Sequence, residues 1–376
     1  MREIYIVLGL GFGDEGKGAT VNSLCHNMPS DSLVIRFNGG HQAGHTVRHM
    51  GIHHAFSNFG AGSLRGVPTY WTEYCTVNPV AVIKEGLALL EKGVIPKIYF
   101  NANAMVTTPF DIIKNVNEDL KSGHGTVGVG FGNTIQRNED HYHLYARDLL
   151  FPGIRDAKLK AIMDYYKYTT PLNAISQKYY DNFVDACTQL VERYEIVESF
   201  KQLERYTDTL IFEGGQGILL DMDYGFFPHV TRSYCTSRNA MEFIRNNGLT
   251  DRPIETYYVS RAYQTRHGNG PMTNVGMDIS YIKPNPKETN VDTGYQGIFR
   301  KSVLDYDLLK YAIKCDKYHN PDSKKTIVFT CMDQVEESII PVTKQGVLQS
   351  LYPTQLANWL GIFNVKVSNS DTGFLA

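Results

Sequence analysis

Ile4-Tyr5-Ile6-Val7-Leu8 runs into Gly9-Leu10-Gly11-Phe12-Gly13-Asp14-Glu15-Gly16-Lys17-Gly18, and the reading of this one stretch decides the fold. A short, uninterrupted β-branched and aliphatic run is the pattern of a strand buried on both faces, as strands of a parallel sheet are. The glycines after it let the backbone curl, so that successive N–H groups face an anion while the next helix offers its N-terminus. Gly11-x4-Gly16-Lys17 fits the phosphate-loop pattern up to its last position, with Lys17 as a point charge for phosphate oxygens. The last position breaks the pattern: Gly18 stands where Ser or Thr would hold Mg2+. A metal here must find other ligands. Asp14 and Glu15 are also foreign to a plain phosphate cradle; a carboxylate beside phosphates makes sense if it binds the cation or takes a proton. A turn of this composition can also do no more than seat a helix on a sheet.

Outward from this loop, similar runs recur: Leu33–Phe37, Lys97–Asn101, Thr209–Phe212, Thr326–Thr330 and Val365–Ser368 read as buried strands. Helix-period segments lie between them. Asn78–Glu91 opens with Asn-Pro, a cap followed by proline at the first helical position; Asp305–Ile313 and Thr354–Leu360 are further helices by period. Alternation of this kind predicts an α/β fold: a mostly parallel central sheet, a phosphate-loop-like first strand-to-helix turn, and ligands at the carboxyl ends of the strands. The glycine- and proline-rich stretches Gly123–Gly132, Arg266–Pro271 and Lys283–Pro286 are each followed by resumed strand patterns. They read as long functional loops within a single domain over residues 1–376, not as linkers.

Composition excludes several classes. The 376 residues are 42% hydrophobic and 20% charged, the usage of a folded globular chain. Lys+Arg number 37 against 39 Asp+Glu, a net charge of −2, which argues against a protein held to nucleic acid by phosphate neutralisation. No run approaches the roughly 18 apolar residues of a membrane span. The start of the chain enters a glycine loop with two acids and does not read as a signal peptide. The six cysteines form no CxxC pair, so reduced, buried thiols in a cytoplasmic protein are expected, with no cysteine metal cluster.

The strand at Leu33–Phe37 runs into Asn38-Gly39-Gly40-His41-Gln42-Ala43-Gly44-His45-Thr46. HxxxH binds one metal only on a helix, and the glycines argue against a helix here. Bare backbone beside a histidine suits an anion and a proton donor instead. For His41, His53 and His54 a structural role is expected.

GDEGKG after the first strand and GGHQAGHT after the second resemble the adenylosuccinate synthetase family, which carries GDEGKG and GGHNAGHT at nearly this spacing. The likeness extends to Glu213-Gly214-Gly215-Gln216-Gly217 with Leu219-Leu220-Asp221 (family EGAQG, LLD), to Phe227-Pro228-His229-Val230-Thr231 (family YPYVT) and to Ala262-Tyr263-Gln264-Thr265-Arg266 (family AYSTR). The chain is shorter than the bacterial enzymes and nearer the compact archaeal and phage branch.

The resemblance implies a ligase. It would join the amine of aspartate to C6 of a 6-oxopurine nucleoside monophosphate after GTP phosphorylates the purine oxygen, with positioning and charge neutralisation supplying most of the catalysis. By position, Asp14 matches the base and an Mg2+ ligand, His45 the acid that stabilises the transferring phosphoryl, and the Gly44 carbonyl a second Mg2+ contact. That set would answer the glycine at position 18. Gly13, Glu15, Gly16, Lys17, Gly18 and Thr46 match GTP contacts. Asp333 would accept guanine N1–H and its 2-amino N–H together, which favours GTP over ATP, and Ser368 matches a further guanine contact. On the substrate nucleotide the matches are Gln216, Thr231 and Arg137, the last crossing from a second subunit and implying a homodimer.

Departures mark where the chain differs. Gln42 replaces the usual Asn, Val127 replaces a Thr, and Cys331 replaces the lysine that often covers guanine. In the loop expected to hold aspartate, Thr293 and Gly294 match but only Arg300 sits near a family arginine, although a dicarboxylate favours bidentate arginine. Three readings follow: aspartate ligation to IMP, or to GMP or dGMP as in phage enzymes; a non-catalytic GTP-binding regulatory module; or the same chemistry with another amino acid donor.

Overall fold

We describe the protein from a computed structural model covering residues 2–26, 28, 31–122, 126–203, 205–206, 208–286, 288–290, 297–369 and 373–374. Its centre is one sheet of nine strands: β1 (Glu3–Gly9), β2 (Leu33–Arg36), β3 (Thr69–Trp71), β4 (Ile98–Asn101), β5 (Glu195–Val197), β6 (Thr209–Gly217), β7 (Ile254–Arg261), β8 (Lys324–Thr330) and β9 (Asn364–Val367). They lie in the order β9-β8-β7-β1-β6-β2-β3-β4-β5, and every neighbouring pair is parallel.

Alternate residues of each strand enter different cores, the period-2 geometry of a strand covered on both faces. Ile4, Ile6 and Leu8 of β1 join Leu33, Ile35, Phe212, Tyr258 and Phe329 on one face. Val7 joins Val34, Ile211, Val259, Val328 and Trp71 on the other. The helices expected from period and caps form. In α2 (Pro79–Glu91) the Asn78 side chain accepts from the Ala81 N–H at 3.2 Å, and in α8 (Tyr306–Lys317) the Asp305 side chain caps Asp307 and Leu308; α9 spans Pro353–Trp359. Between them come α1 (Lys17–Leu24), α3 (Pro109–Ser122), α4 (Phe131–Glu139), α5 (Pro152–Tyr166), α6 (Gln177–Arg193) and α7 (Arg238–Asn246).

Because β1 sits mid-sheet and the chain leaves it for strands on both sides, a crevice opens at the carboxyl ends of β1, β2, β6 and β7, where the strand order reverses. Two antiparallel ribbons flank it: His45–His49 with Ile52–Phe56, and Gln264–His267 with Phe299–Ser302. Among the described residues all six cysteines are buried and unpaired, and no helix is long and apolar enough to cross a membrane.

Candidate active site

The glycine loop uses its two acids in opposite ways. Glu15 turns inward: Oε1 accepts from the Gly11 and Gly13 N–H groups at 3.0 and 2.8 Å, and Oε2 takes the Lys17 ammonium at 2.6 Å. Burial pushes its carboxyl up, but the charge and hydrogen bond of Lys17 override this and hold it below the usual carboxylate range. A Cβ on Gly9 or Gly217 would meet that carboxylate at 2.2 or 2.3 Å, so both glycines are required by the packing. Glu15, expected among the GTP contacts, therefore staples the loop from within, and it is not among the residues that line the cavity. Asp14, in the left-handed region at φ 63, turns the other way and faces the cavity. Its carboxyl is raised by burial, which Arg261 and His267 offset only in part. Arg261 Nε donates to the Asp14 carbonyl at 2.6 Å, and His267 Nε2 lies 3.4 Å from Asp14 Oδ2.

Gly18 has a steric cause. A Cβ there would stand 2.7 Å from His45 Cβ and 3.3 Å from His45 Cα. Absence of any side chain at this position is the condition for bringing the second loop, with its imidazole, against the first.

That second loop holds no helix: His41 lies in a turn and His45 opens a strand. His45 Nδ1 is 2.6 Å from Glu213 Oε1. A carboxylate only accepts, so the nitrogen donates and Nε2 alone is left to meet a ligand; it is buried and has no partner among the described residues. The other oxygen of Glu213 accepts from the Ala61 N–H at 3.0 Å. Burial raises Glu213, but His45 and then Arg36 bring it below the usual carboxylate range. Asn38 ties the loops together, accepting from the Gly215 N–H and donating to the Tyr234 carbonyl, each at 2.7 Å. Asp221 of the LLD segment accepts from the backbone N–H groups of Asp223, Tyr224, Cys235 and Thr236, which fixes the loop carrying Thr231.

These loops enclose a cavity of about 910 Å³, at the upper end of the usual range for ligand pockets. Gly13, Asp14, Gly16, Lys17, Gly18, Gln42, Gly44, His45, Thr46, Val127, Gln216, Thr231 and Ser368 all line it. His41, expected to be structural, lines it too while taking a hydrogen bond from Asn58 at 3.2 Å. Asp333 lies exposed just beyond the wall, which ends at Cys331. Arg300 stands behind the wall: Nη2 donates to the Gly270 carbonyl at 2.6 Å, and the residue is the cross-strand partner of Arg266, which does line the cavity. Thr293 lies outside the described residues.

Arg137 corrects the sequence reading. It is 0% exposed, with Nε on Asp111 Oδ1 at 2.9 Å and Nη2 on the Val106 carbonyl at 2.8 Å. Each guanidinium nitrogen of this arginine is engaged within its own chain, so the arrangement gives no support to a contact across a subunit boundary or to the homodimer inferred from it. Arg232, which lines the cavity and bonds Gln136 and Glu139, is the arginine of this region at the wall. Glu213, Arg261 and His267 carry no role that the linear motifs mark. Glu213 opens a quoted motif, yet only the pairing of β6 with β2 shows it beneath His45.

The sequence profile of adenylosuccinate synthetase matches residues 6–343. The chain belongs to the adenylosuccinate synthetase family. It is 30% identical to the adenylosuccinate synthetase of Marinomonas sp. over 72% of this chain and 64% of that protein. Against the adenylosuccinate synthetase of Thermoplasma volcanium it is 30% identical, over 83% of this chain and 72% of the other. Thus it spans somewhat under two thirds of the length of the bacterial synthetases it matches. The fold is shared with the fully ligated adenylosuccinate synthetase of Plasmodium falciparum (TM-score 0.68, 23% identity, 95% of this chain and 86% of that one). It is shared also with the succinoaminodeoxyadenylate synthetase of cyanophage S-2L, solved with dGMP and dATP (TM-score 0.62, 14% identity, 98% and 91%).

Proposed function

We propose that the protein ligates L-aspartate to C6 of a 6-oxopurine nucleoside monophosphate at the expense of GTP, through a 6-phosphoryl intermediate. One observation carries this reading: Asp14, His45 and Lys17 face a single cavity from two neighbouring loops. An oxo group leaves a purine poorly, and a phosphoryl group on that oxygen turns it into a good leaving group. Asp14, with its raised affinity for protons, takes the purine N1 proton so that the oxygen attacks the γ-phosphorus. His45, held through Nδ1 by Glu213, turns Nε2 toward the transferring group; burial lowers its affinity for protons, and it is in the protonated form that Nε2–H donates to the charge developing on the phosphoryl oxygens. Lys17 leaves Glu15 for the phosphates or bridges both.

Mg2+ fits the donor set: the Asp14 carboxylate and the exposed Gly44 carbonyl are hard oxygen ligands at the cavity wall, and Mg2+ takes few protein ligands beside phosphates and water. When bound it would neutralise charge on the phosphate oxygens. For the amine donor, Arg266 is the cavity-lining cation that pairs in register with Arg300, and each has a buried Nε without a partner among the described residues.

The test incubates the protein with Mg2+, GTP, aspartate and a panel of IMP, GMP and dGMP, then weighs the products. A mass gain matching replacement of oxygen by the aspartate nitrogen, with GDP formed in equal amount, supports the reading and names the purine. GTP turnover without an adduct, or binding without turnover, would leave the regulatory-module reading in its place. An adduct only with another amino acid would assign a different donor.

A further inference from the structure

A row of side chains crosses the sheet directly behind His45. Glu213 of β6 is the register partner of Arg36 on β2, and Arg36 is the register partner of Trp71 on β3. Register partners in neighbouring strands leave the sheet on the same face, so carboxylate, guanidinium and indole stand side by side. Arg36 lies over the indole, its Cζ 5.2 Å from the ring centroid. Arg36 and Trp71 are 0% and 1% exposed.

None of the three guanidinium nitrogens has a hydrogen-bond partner among the described residues. Arg137, just as buried, commits its donors to Asp111 and to carbonyls. Protein interiors ordinarily retain an arginine by pairing those donors. One retained by a ring face and an adjacent carboxylate works as a fixed positive charge instead. Glu213 is the carboxylate beside it in the sheet, with no hydrogen bond or ion pair between the two, and both of its oxygens are already engaged, by His45 and by the Ala61 N–H. The other charged or ionisable groups around this cluster are Lys17, facing His45; Cys25, facing Glu213; and Cys75, which faces Arg36 and donates to its carbonyl.

We infer that Arg36 is a positioning residue for His45: wedged between Trp71 and Glu213, it draws the Glu213 side chain into the orientation that grips His45 Nδ1, which leaves Nε2 turned to the cavity. This rests on the reading of His45 as the group that meets the transferring phosphoryl. Arg36 touches neither the cavity nor a substrate; it acts through two residues in series.

The test compares Arg36→Met, which keeps bulk and removes charge, with Arg36→Lys, which keeps charge. Histidine is labelled with 15N, and the low-field Nδ1–H resonance expected from a 2.6 Å bond to a carboxylate is assigned by its loss in His45→Gln. Arg36→Met should shift or broaden that resonance and lower kcat by about 10²-fold, as a displaced catalytic group does, while KM for each nucleotide stays nearly constant. Arg36→Lys should restore both. An unmoved resonance and unchanged kcat in a folded Arg36→Met protein would overturn the assignment.

If Arg36→Met does not fold, the double variant Arg36→Met/Glu213→Gln removes the opposing charge as well. Its kcat should match that of Glu213→Gln alone, because a residue acting through Glu213 adds nothing once Glu213 is changed. A further loss of about tenfold or more, beyond ordinary non-additivity, would overturn the proposal. The resonance needs no substrate, so a wild-type protein inactive on every purine nucleotide refutes the functional reading while the Arg36 test still stands on its own signal.

Discussion

Replacing Gly18 by Ala is the sharpest perturbation that the geometry offers, because the sequence rule and the structure point in opposite directions. By the rule for phosphate loops, a small polar residue at this position is an improvement, and Ser would restore the usual Mg2+ hydroxyl. In the structure an added Cβ would stand 2.7 Å from His45 Cβ and 3.3 Å from its backbone C and Cα. Carbon atoms settle at about 3.5–4.0 Å, so the two loops must separate by roughly 1 Å. The obstruction includes backbone, which cannot rotate away. A misplacement of about 1 Å in a catalytic group costs around 10²-fold in rate, and overpacking costs about 1–3 kcal/mol in stability. The assay is phosphate release that depends on purine monophosphate and aspartate, with GTP affinity measured separately by equilibrium binding. Gly18→Ala and Gly18→Ser should both lose about two orders of magnitude in kcat and melt several degrees lower, with GTP still bound. If Gly18→Ser turns over within about threefold of wild type, where loss of a positioned group is expected to show in kcat, the close approach of the two loops is not what places His45.

Asp14→Asn should abolish ligation and leave GTP binding largely intact. It should also raise the melting temperature at pH 7–8: the folded carboxyl is raised by burial, so its ionised form destabilises the fold above that pKa, and the difference from wild type should fade as pH falls below the unfolded value of about 3.9 and be gone near about pH 3, where both states are protonated. A lower melting point for Asp14→Asn at pH 8 would contradict this. Glu213→Gln should cost about 3–5 kcal/mol in urea unfolding at pH 7, the range for breaking a buried ionic cluster from one side. Because the folded carboxyl is depressed, its contribution is complete above the unfolded value of about 4.3 and is lost as pH drops through the lower folded value; a cost that grows toward pH 3 would refute the assignment. Asp333→Asn should reduce the kcat/KM preference for GTP over ATP about tenfold or more, the worth of one charge-assisted hydrogen bond. An unchanged ratio would place base reading elsewhere, with Cys331 and Ser368 at the wall as the next residues to change.

Strands with uninterrupted apolar runs were legible because a parallel sheet buries both faces and leaves no polar interruption to confuse the pattern. Ile254–Arg261 was not: Glu255, Thr256 and Arg261 break its run, and only its place between β1 and β8 shows it to be central. Helix α1 carries no helical period, since all but one of its residues are buried, Lys17 and Asn22 among them, and a helix covered all round has no polar stripe to read. The cavity wall was largely legible through loop motifs, because backbone N–H groups and glycines act from local sequence. The direction of a long side chain was not. Arg137 and Glu15 sit in the right segments and turn inward, each toward a partner that the linear sequence does not place: Asp111 for the first, the Gly11 and Gly13 amides for the second. Glu213 and Arg36 are invisible for the same reason, 177 residues apart in the chain and register partners in the sheet.

The most direct measurement uses a 6-oxopurine monophosphate carrying 18O at position 6, turned over with GTP and aspartate. If Asp14 and His45 prime that oxygen for attack on the γ-phosphoryl group, each inorganic phosphate released carries one 18O. Phosphate free of label, with the heavy oxygen found in water or retained on the purine, would contradict the account.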